Sequence, residues 1–264
     1  MMMEKQFDTL KVEISGNAAW VTFNRPESLN ALNLQMMTEL QEVLNELKRD
    51  ADLQVLVLKG EGKGFCSGGD IKAMLKMNGE EDFQHFMKVI NDLSITLYTM
   101  PKITVSAIHG AAAGLGLSLA LATDVVIAEE QSKLAMNFIG IGLVPDGGGH
   151  FFMQERLGSQ KALHTIWRGE IMNGQEAYSL GLIDKVTAEG RVSEDTEAFV
   201  NMINSSPVKA MMESKSILRA SRRSQLEQTL ELEKDAQWRM RQTEDHIEGI
   251  QAFTEKRKPV FKGQ

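Results

Sequence analysis

A single cysteine, Cys66, stands among 264 residues, which excludes an intrachain disulfide and fits a reducing compartment. Positive charge is also scarce, since 29 Lys and Arg face 36 Asp and Glu for a net charge of −7. A nucleic-acid partner would need a basic stripe, so none is expected, and an anionic ligand must be met by local cations. The amino-terminal Met-Met-Met-Glu-Lys-Gln-Phe-Asp has no apolar core, so no signal peptide is read there. No cluster of residues has metal-ligand spacing, and dinucleotide and P-loop fingerprints are missing. Repeats and low-complexity tracts are missing too. The one long apolar stretch, residues 103–128, is interrupted by glycines, His109 and Asp124. Its β-branched ends flank an Ala- and Leu-rich middle, which reads as strand–turn–helix–strand rather than a bilayer span. A cytoplasmic protein without membrane contact is expected.

The chain does hold three glycine-rich turns: Gly64-Phe-Cys-Ser-Gly-Gly-Asp70, Gly110-Ala-Ala-Ala-Gly-Leu-Gly116 and Gly142-Leu-Val-Pro-Asp-Gly-Gly-Gly149. Each follows an apolar run and leads into a helical pattern. Glycine lets backbone N–H groups turn outward and approach a ligand closely. Two such turns can supply a pair of amide donors to an oxyanion, and the third carries a carboxylate, Asp146. Around them, strands are predicted over 10–15, 18–24, 55–59, 103–108 and 125–128. Helices are predicted over 34–49, from about 71, over 82–99, to 122, and over 151–157, 161–168 and 177–180. Residues 78–81 read as an exposed loop. The tail from Pro207 to Pro259 is strongly helical. This alternation is that of an α/β protein. The division expected is a core over 1–200 and a helical region over 201–264, either a packing appendage or a subunit contact.

Asn24-Arg-Pro-Glu-Ser-Leu-Asn-Ala-Leu32, the three glycine turns, the helix running to Thr123-Asp124 and Ala177-Tyr-Ser-Leu-Gly-Leu-Ile-Asp184 together resemble the crotonase (enoyl-CoA hydratase/isomerase) family. The resemblance extends to Ala252-Phe-Thr-Glu-Lys-Arg-Lys-Pro259. It implies a spiral of ββα units whose helical C-terminal region builds trimers, often paired as hexamers. It also implies an acyl-CoA thioester substrate with no cofactor beyond the coenzyme A that the substrate carries. The family's enolate is held by two backbone N–H groups, by position those of Gly69 and Leu115, with Gly114 just before the second. Orphan N–H groups and the dipole at a helix start suit negative charge. Tight turns and close packing are the other reading of these glycines.

Hydratases of the family use two glutamates, and here those positions read Ser118 and Phe138, neither able to act as a base. The resemblance therefore makes Ser118 a small residue facing the pocket and Phe138 its wall. Asp146 sits where phenylacetate-pathway isomerases and the 4-chlorobenzoyl-CoA dehalogenase type carry a working aspartate, and its surroundings are closer to the isomerase type. One carboxylate suffices to carry a proton between carbons, and desolvation would raise its pKa toward the working pH. Capping of the helix near Gly149 is the alternative role. Hydration by an unusual arrangement and attack of Asp146 on an aryl-CoA stay open.

For coenzyme A, the resemblance carries over Arg25, Ala31, Ser67, Gly68, Asp70 and Ile71, although Ser67 and Asp70 equally suit a helix cap and Arg25 an ion pair. Lys63, and Lys256 or Lys258 from a neighbouring subunit, are candidates for the phosphates, a solvated basic tail being the other reading of the latter two. Segment 72–97 is expected to shape the acyl pocket. Cys66 fits a Gly-x-Cys-x-Gly nucleophile elbow, which would make a hydrolase, or else a small buried thiol. A non-catalytic acyl-CoA-binding subunit is a further possibility. His109 reads as structural, and His150 lies near enough to the Asp146 turn to reach the pocket.

Overall fold

A computed structural model describes residues 6–75 and 79–264. The amino-terminal segment 1–5 and Asn78, the first residue of the expected loop, lie outside the described residues. Two strands, β1 (Leu10–Ser15) and β2 (Ala18–Phe23), form an antiparallel hairpin. They open a six-stranded sheet that continues in parallel through β3 (Val55–Gly60), β4 (Ile103–Ile108), β6 (Val125–Glu129) and β8 (Lys185–Thr187), in the order β1-β2-β3-β4-β6-β8. A second, two-stranded parallel sheet joins β5 (Ala111–Ala113) to β7 (Lys133–Ala135). Bridges from Cys66 to Ala112 and from Leu134 to Met172 extend it on both sides. The fold is mixed α/β with a helical C-terminal region, as the resemblance implies.

The continuous apolar run of β3 predicts burial on both faces, and alternate residues go to two cores. Leu56 and Leu58 enter the main core, while Val55 and Val57 enter a smaller one. The main core is roofed by α1 (Leu34–Arg49) and α3 (Gly79–Tyr98). The smaller is covered by α8 (Val192–Asn204) through Val192, Val200 and Ile203. Burying an aliphatic side chain of this size stabilises the fold by about 1.5–3 kcal/mol. The helical stripe of α1 (36, 37, 40, 43, 44, 47) is buried throughout, and Asn33 caps it by accepting from the Met36 N–H at 2.9 Å.

Several short elements differ from the sequence reading. Gly79 to Glu81, expected in a loop, already belong to α3, whose first turn gathers Glu80, Glu81 and Asp82 where the helix dipole favours negative charge. The second glycine turn contains β5, and neither β7, β8 nor α8 was predicted. The stretch 103–128 resolves into β4, β5, α4 (Leu115–Ala122) and β6. Among the described residues no helix is long and apolar enough to cross a membrane.

Beyond β7 follow α5 (Gly149–Leu157), α6 (Ser159–Arg168) and α7 (Gly174–Leu180). The tail is α9 (Val208–Met240) and α10 (Glu244–Glu255). Helix α9 is tied to the large sheet at Asp124, which meets Lys215 Nζ at 2.6 Å and Arg219 at 3.0 Å. Burial alone would raise that carboxyl, but Lys215 and then Arg219 hold it below its usual range.

Candidate active site

The first glycine turn is held by the second. Cys66 N–H donates to the Ala111 carbonyl at 2.9 Å, and Ala113 N–H donates back to the Cys66 carbonyl at 3.0 Å. At Gly68 φ is +103°, and a Cβ there would lie 2.8 Å from the Ala113 oxygen, so only glycine fits. The same Cβ would stand 3.6 Å from the Leu115 nitrogen, so the two turns meet at this point. Gly114 N–H is committed to the Ala135 carbonyl at 2.9 Å, whereas the N–H groups of Gly69 and Leu115 have no acceptor among the described residues. Leu115 is the first residue of α4, where an orphan N–H is inherent.

These amides open on a cavity of about 270 Å³. Its lining includes Ser67, Gly68, Gly69, Ile71, Gly114, Leu115, Phe138 and Asp146, all expected at the site, with Met74 and Phe86 from segment 72–97. Phe253 of α10 also lines it. Helix α10 is mounted on the cavity wall: His246 donates its ring N–H to the Ile141 carbonyl at 2.8 Å, and a Cβ on Gly249 would lie 2.7 Å from the Ile141 backbone.

Asp146 is buried and lines this cavity. Its Oδ2 receives a long contact of 3.4 Å from Gln237 Nε2, and its Oδ1 has no hydrogen-bond partner among the described residues. A buried oxygen without a partner is costly. Burial first, and the nearby Glu233 charge second, push the Asp146 carboxyl well above the ordinary aspartate range. Asp146 does not cap α5 with its side chain; only its backbone carbonyl accepts, from Gly149 N–H at 3.1 Å.

That capping role falls to Glu233, reaching across from α9. One of its carboxylate oxygens accepts from Gly148 N–H at 2.8 Å, the other from His150 N–H at 2.9 Å and from the His150 Nδ1 at 2.8 Å. The turn is fixed from α3 as well, where Ser94 Oγ donates to the Gly147 carbonyl at 2.8 Å. Gly147 has φ +63°, and a Cβ there would lie 2.5 Å from Leu115 Cδ1. This glycine lets the Asp146 turn press against the start of α4.

The other expected residues lie outside this lining. Ser118 does not face the cavity; it is wholly buried, and its hydroxyl points to the Gly114 carbonyl at 3.4 Å and Met136 Sδ at 3.8 Å. Cys66 is no elbow nucleophile and lines no part of the cavity. It is fully buried, and desolvation pushes its thiol up to about 12, so no thiolate forms near neutral pH. Asp70 caps α2 (Ile71–Met74) through the Lys72 and Ala73 N–H groups, and its second oxygen meets Arg25 at 3.1 Å. Arg25 also donates to the Ala31 carbonyl, so Arg25, Ala31 and Asp70 brace the turn and stand outside the lining of this cavity. Lys63, Lys256 and Lys258 are exposed and stand outside the lining. His109 is bonded to the Gly62 carbonyl at 2.9 Å, and His150 is engaged by Glu233 behind the Asp146 turn.

Glu233 and Gln237 were not singled out from sequence. They continue the buried stripe of Leu226 and Leu230 on α9, and polar residues on such a stripe were the available signal. Among the described residues no group of side chains has the makings of a metal site.

Comparison with known proteins agrees along the whole chain. The model of the family described as Enoyl-CoA hydratase/isomerase matches residues 13–264. YhaR of Bacillus subtilis, which carries an enoyl-CoA hydratase/isomerase name, is 46% identical over 94% of this chain and 96% of its own. The 1,2-epoxyphenylacetyl-CoA isomerase of Escherichia coli is 31% identical over 92% of this chain and 94% of its own. The crystal structure of an enoyl-CoA hydratase from Mycobacterium avium subsp. paratuberculosis superposes with a TM-score of 0.88 at 29% identity, covering 97% of this chain and all of the other.

Proposed function

The chain belongs to the enoyl-CoA hydratase/isomerase family, and from that premise we propose that it shifts a double bond within an enoyl-CoA thioester, with Asp146 as its one acid–base group. The observation that carries this reading is that Asp146, with its buried Oδ1 unpartnered, lines the same cavity as Gly69 and Leu115, whose N–H groups are unbonded among the described residues. Ionised Asp146 takes a proton from the carbon beside the thioester carbonyl. The electron pair moves into the carbonyl oxygen, and the two amides stabilise the enolate so formed. Protonated Asp146 then returns the proton two carbons further along, and the double bond moves into conjugation with the thioester. Atoms and charge balance without a second carboxylate, a metal or a redox cofactor.

Phe138 and Leu143 with Met74 and Phe86 make the surroundings apolar, which disfavours water and strengthens each amide contact. Ser118, turned into the protein, supports isomerisation over hydration, because a hydratase of the family would need a carboxylate there. The Escherichia coli relative's isomerase name points the same way. Coenzyme A enters only as part of the substrate. The working assembly is a homotrimer or a hexamer built through the helical C-terminal region, acting in the cytoplasm.

Asp146→Asn keeps shape but cannot take a proton. Isomerisation of a 3-enoyl-CoA should fall by ~10²–10⁴-fold, and exchange of the α-proton with deuterated water should vanish with it. Efficient hydration of a 2-enoyl-CoA that survives Asp146→Asn would sink the assignment.

A further inference from the structure

A helix start attracts a carboxylate, and an aspartate three residues before α5 is the obvious candidate to fill it. In this fold the place is taken. Glu233, only 2% exposed, approaches from α9 and bonds the N–H groups of Gly148 and His150, the first two orphan donors of α5. Its anionic charge is met there by the helix dipole and by three donors, the third being the His150 ring. Asp146 is left without a helix to cap, its Oδ1 unpartnered, in the lining of the cavity.

We infer that Glu233 is a positioning residue for the acid–base step: by occupying the start of α5 it keeps Asp146 turned into the cavity and holds a negative charge beside it. The inference rests on Asp146 being the acid–base group. The charge matters because a carboxylate drawn onto helix N–H groups becomes a weaker base, whereas one crowded by a second carboxylate in an apolar site becomes a stronger one. Among the described residues, the charged or titratable groups that the elements packed on this turn bring to it are Glu233 from α9 and His150 from α5, while α3 and α4 face it with the neutral Ser94, Ile90, Leu115 and Ser118. Gln237, one turn after Glu233, completes the arrangement by engaging the Val144 carbonyl and Asp146 Oδ2, so Oδ1 alone is free. Without Glu233, the Gly148 and His150 N–H groups are vacated on the same turn as Asp146, where they can draw its carboxylate.

The test is the pH dependence of isomerisation of a 3-enoyl-CoA in Glu233→Gln, Asp146→Asn and the double variant. Glutamine offers one oxygen where two donors wait, and it carries no charge. Glu233→Gln should lower kcat at least ~10-fold with KM within about threefold, the signature of an interaction acting on the step rather than on binding. The acid limb of its kcat/KM profile should move to lower pH, and Asp146→Asn should be no slower when Glu233→Gln is added. A purely structural role would lower activity with the limb unmoved and the losses multiplying, and that result overturns the inference. So does wild-type kcat in Glu233→Gln. If that variant fails to fold, Glu233→Asp serves: it keeps the charge, withdraws it by one methylene, and should lose several-fold in kcat with the limb in place. Wild-type kcat in Glu233→Asp is equally fatal. An active Asp146→Asn removes the acid–base reading itself, whereas a dead Asp146→Asn beside a normal Glu233→Gln removes only the role of Glu233.

Discussion

The wall of the cavity that carries Gly69 and Leu115 is backbone, fixed by strand pairing between neighbouring turns, whereas the wall that carries Asp146 is side chains and buried charge, fixed from a helix far along the chain. Backbone amides have no proton to gain or lose in the working range, so the first wall is indifferent to pH. The second stores an unfavourable state, since Asp146 is buried with one oxygen unpartnered and a like charge nearby. In the proposed reaction one half of the site stabilises charge passively and the other moves a proton, and each is built of matching material.

The largest effect that would sharpen this contrast lies on the backbone wall. Gly69 N–H bonds nothing in the fold, and the bridge to Leu32 uses Gly68 O and Asp70 N–H instead, at 2.8 and 2.9 Å. Gly69→Pro therefore removes the donor without taking a hydrogen bond from the protein. Turnover should fall by ~10²–10³-fold while CoA binding persists. Gly69→Ala is the control: it keeps the N–H, and its Cβ would meet only Met74 Sδ at 3.4 Å. Wild-type turnover in a folded Gly69→Pro would place the oxyanion elsewhere.

A smaller, opposite effect is expected on the charged wall. A carboxyl whose value folding raises binds its proton more tightly when folded, so it favours the native state below the ordinary aspartate range, near ~3.9, and loses that advantage as pH rises through the raised value. At neutral pH and above, Asp146→Asn should therefore melt at a higher temperature than its parent. The gap should close as the solution is acidified toward ~4. Calorimetry at several pH values reads this directly, and a variant that melts lower at pH 8 would show that no unfavourable charge is stored there. Stability gained by discarding a working group is a common trade.

The smallest effect expected is none. The backbone of Cys66 helps to fix the first wall, but its side chain lines neither, and burial raises its thiol to about 12. Iodoacetamide at pH 7.5 should leave the native protein unlabelled and fully active. Labelling at Cys66 with loss of turnover would bring the thiol back into the chemistry.

The glycine turns were legible in sequence because glycine is informative where φ must be positive or another chain segment must come close, as at Gly68 and Gly147, whereas the choice of the Gly69 and Leu115 amides came from the family resemblance. Long periodic elements such as α1 were readable to the residue. The three-residue strands β5, β7 and β8 were not, being too short to show a period. Ser118 misled because position along a helix does not say which side of α4, buried on every side, meets the cavity. The support of Asp146 was hidden for another reason. Glu233 and Gln237 lie within a 33-residue helix dense in charge, where their place on the stripe of Leu226 and Leu230 is the single sign that sets them apart, and it says nothing of what they reach.

The partners that Asp146 and its turn find on α9 stand 83 to 93 positions further along the chain, while the two amide turns close on one another within about fifty. A polypeptide leaves the ribosome from its amino end. The residues of the backbone wall are thus all made early in synthesis, while the wall that holds Asp146 waits until most of the last helical region has been made.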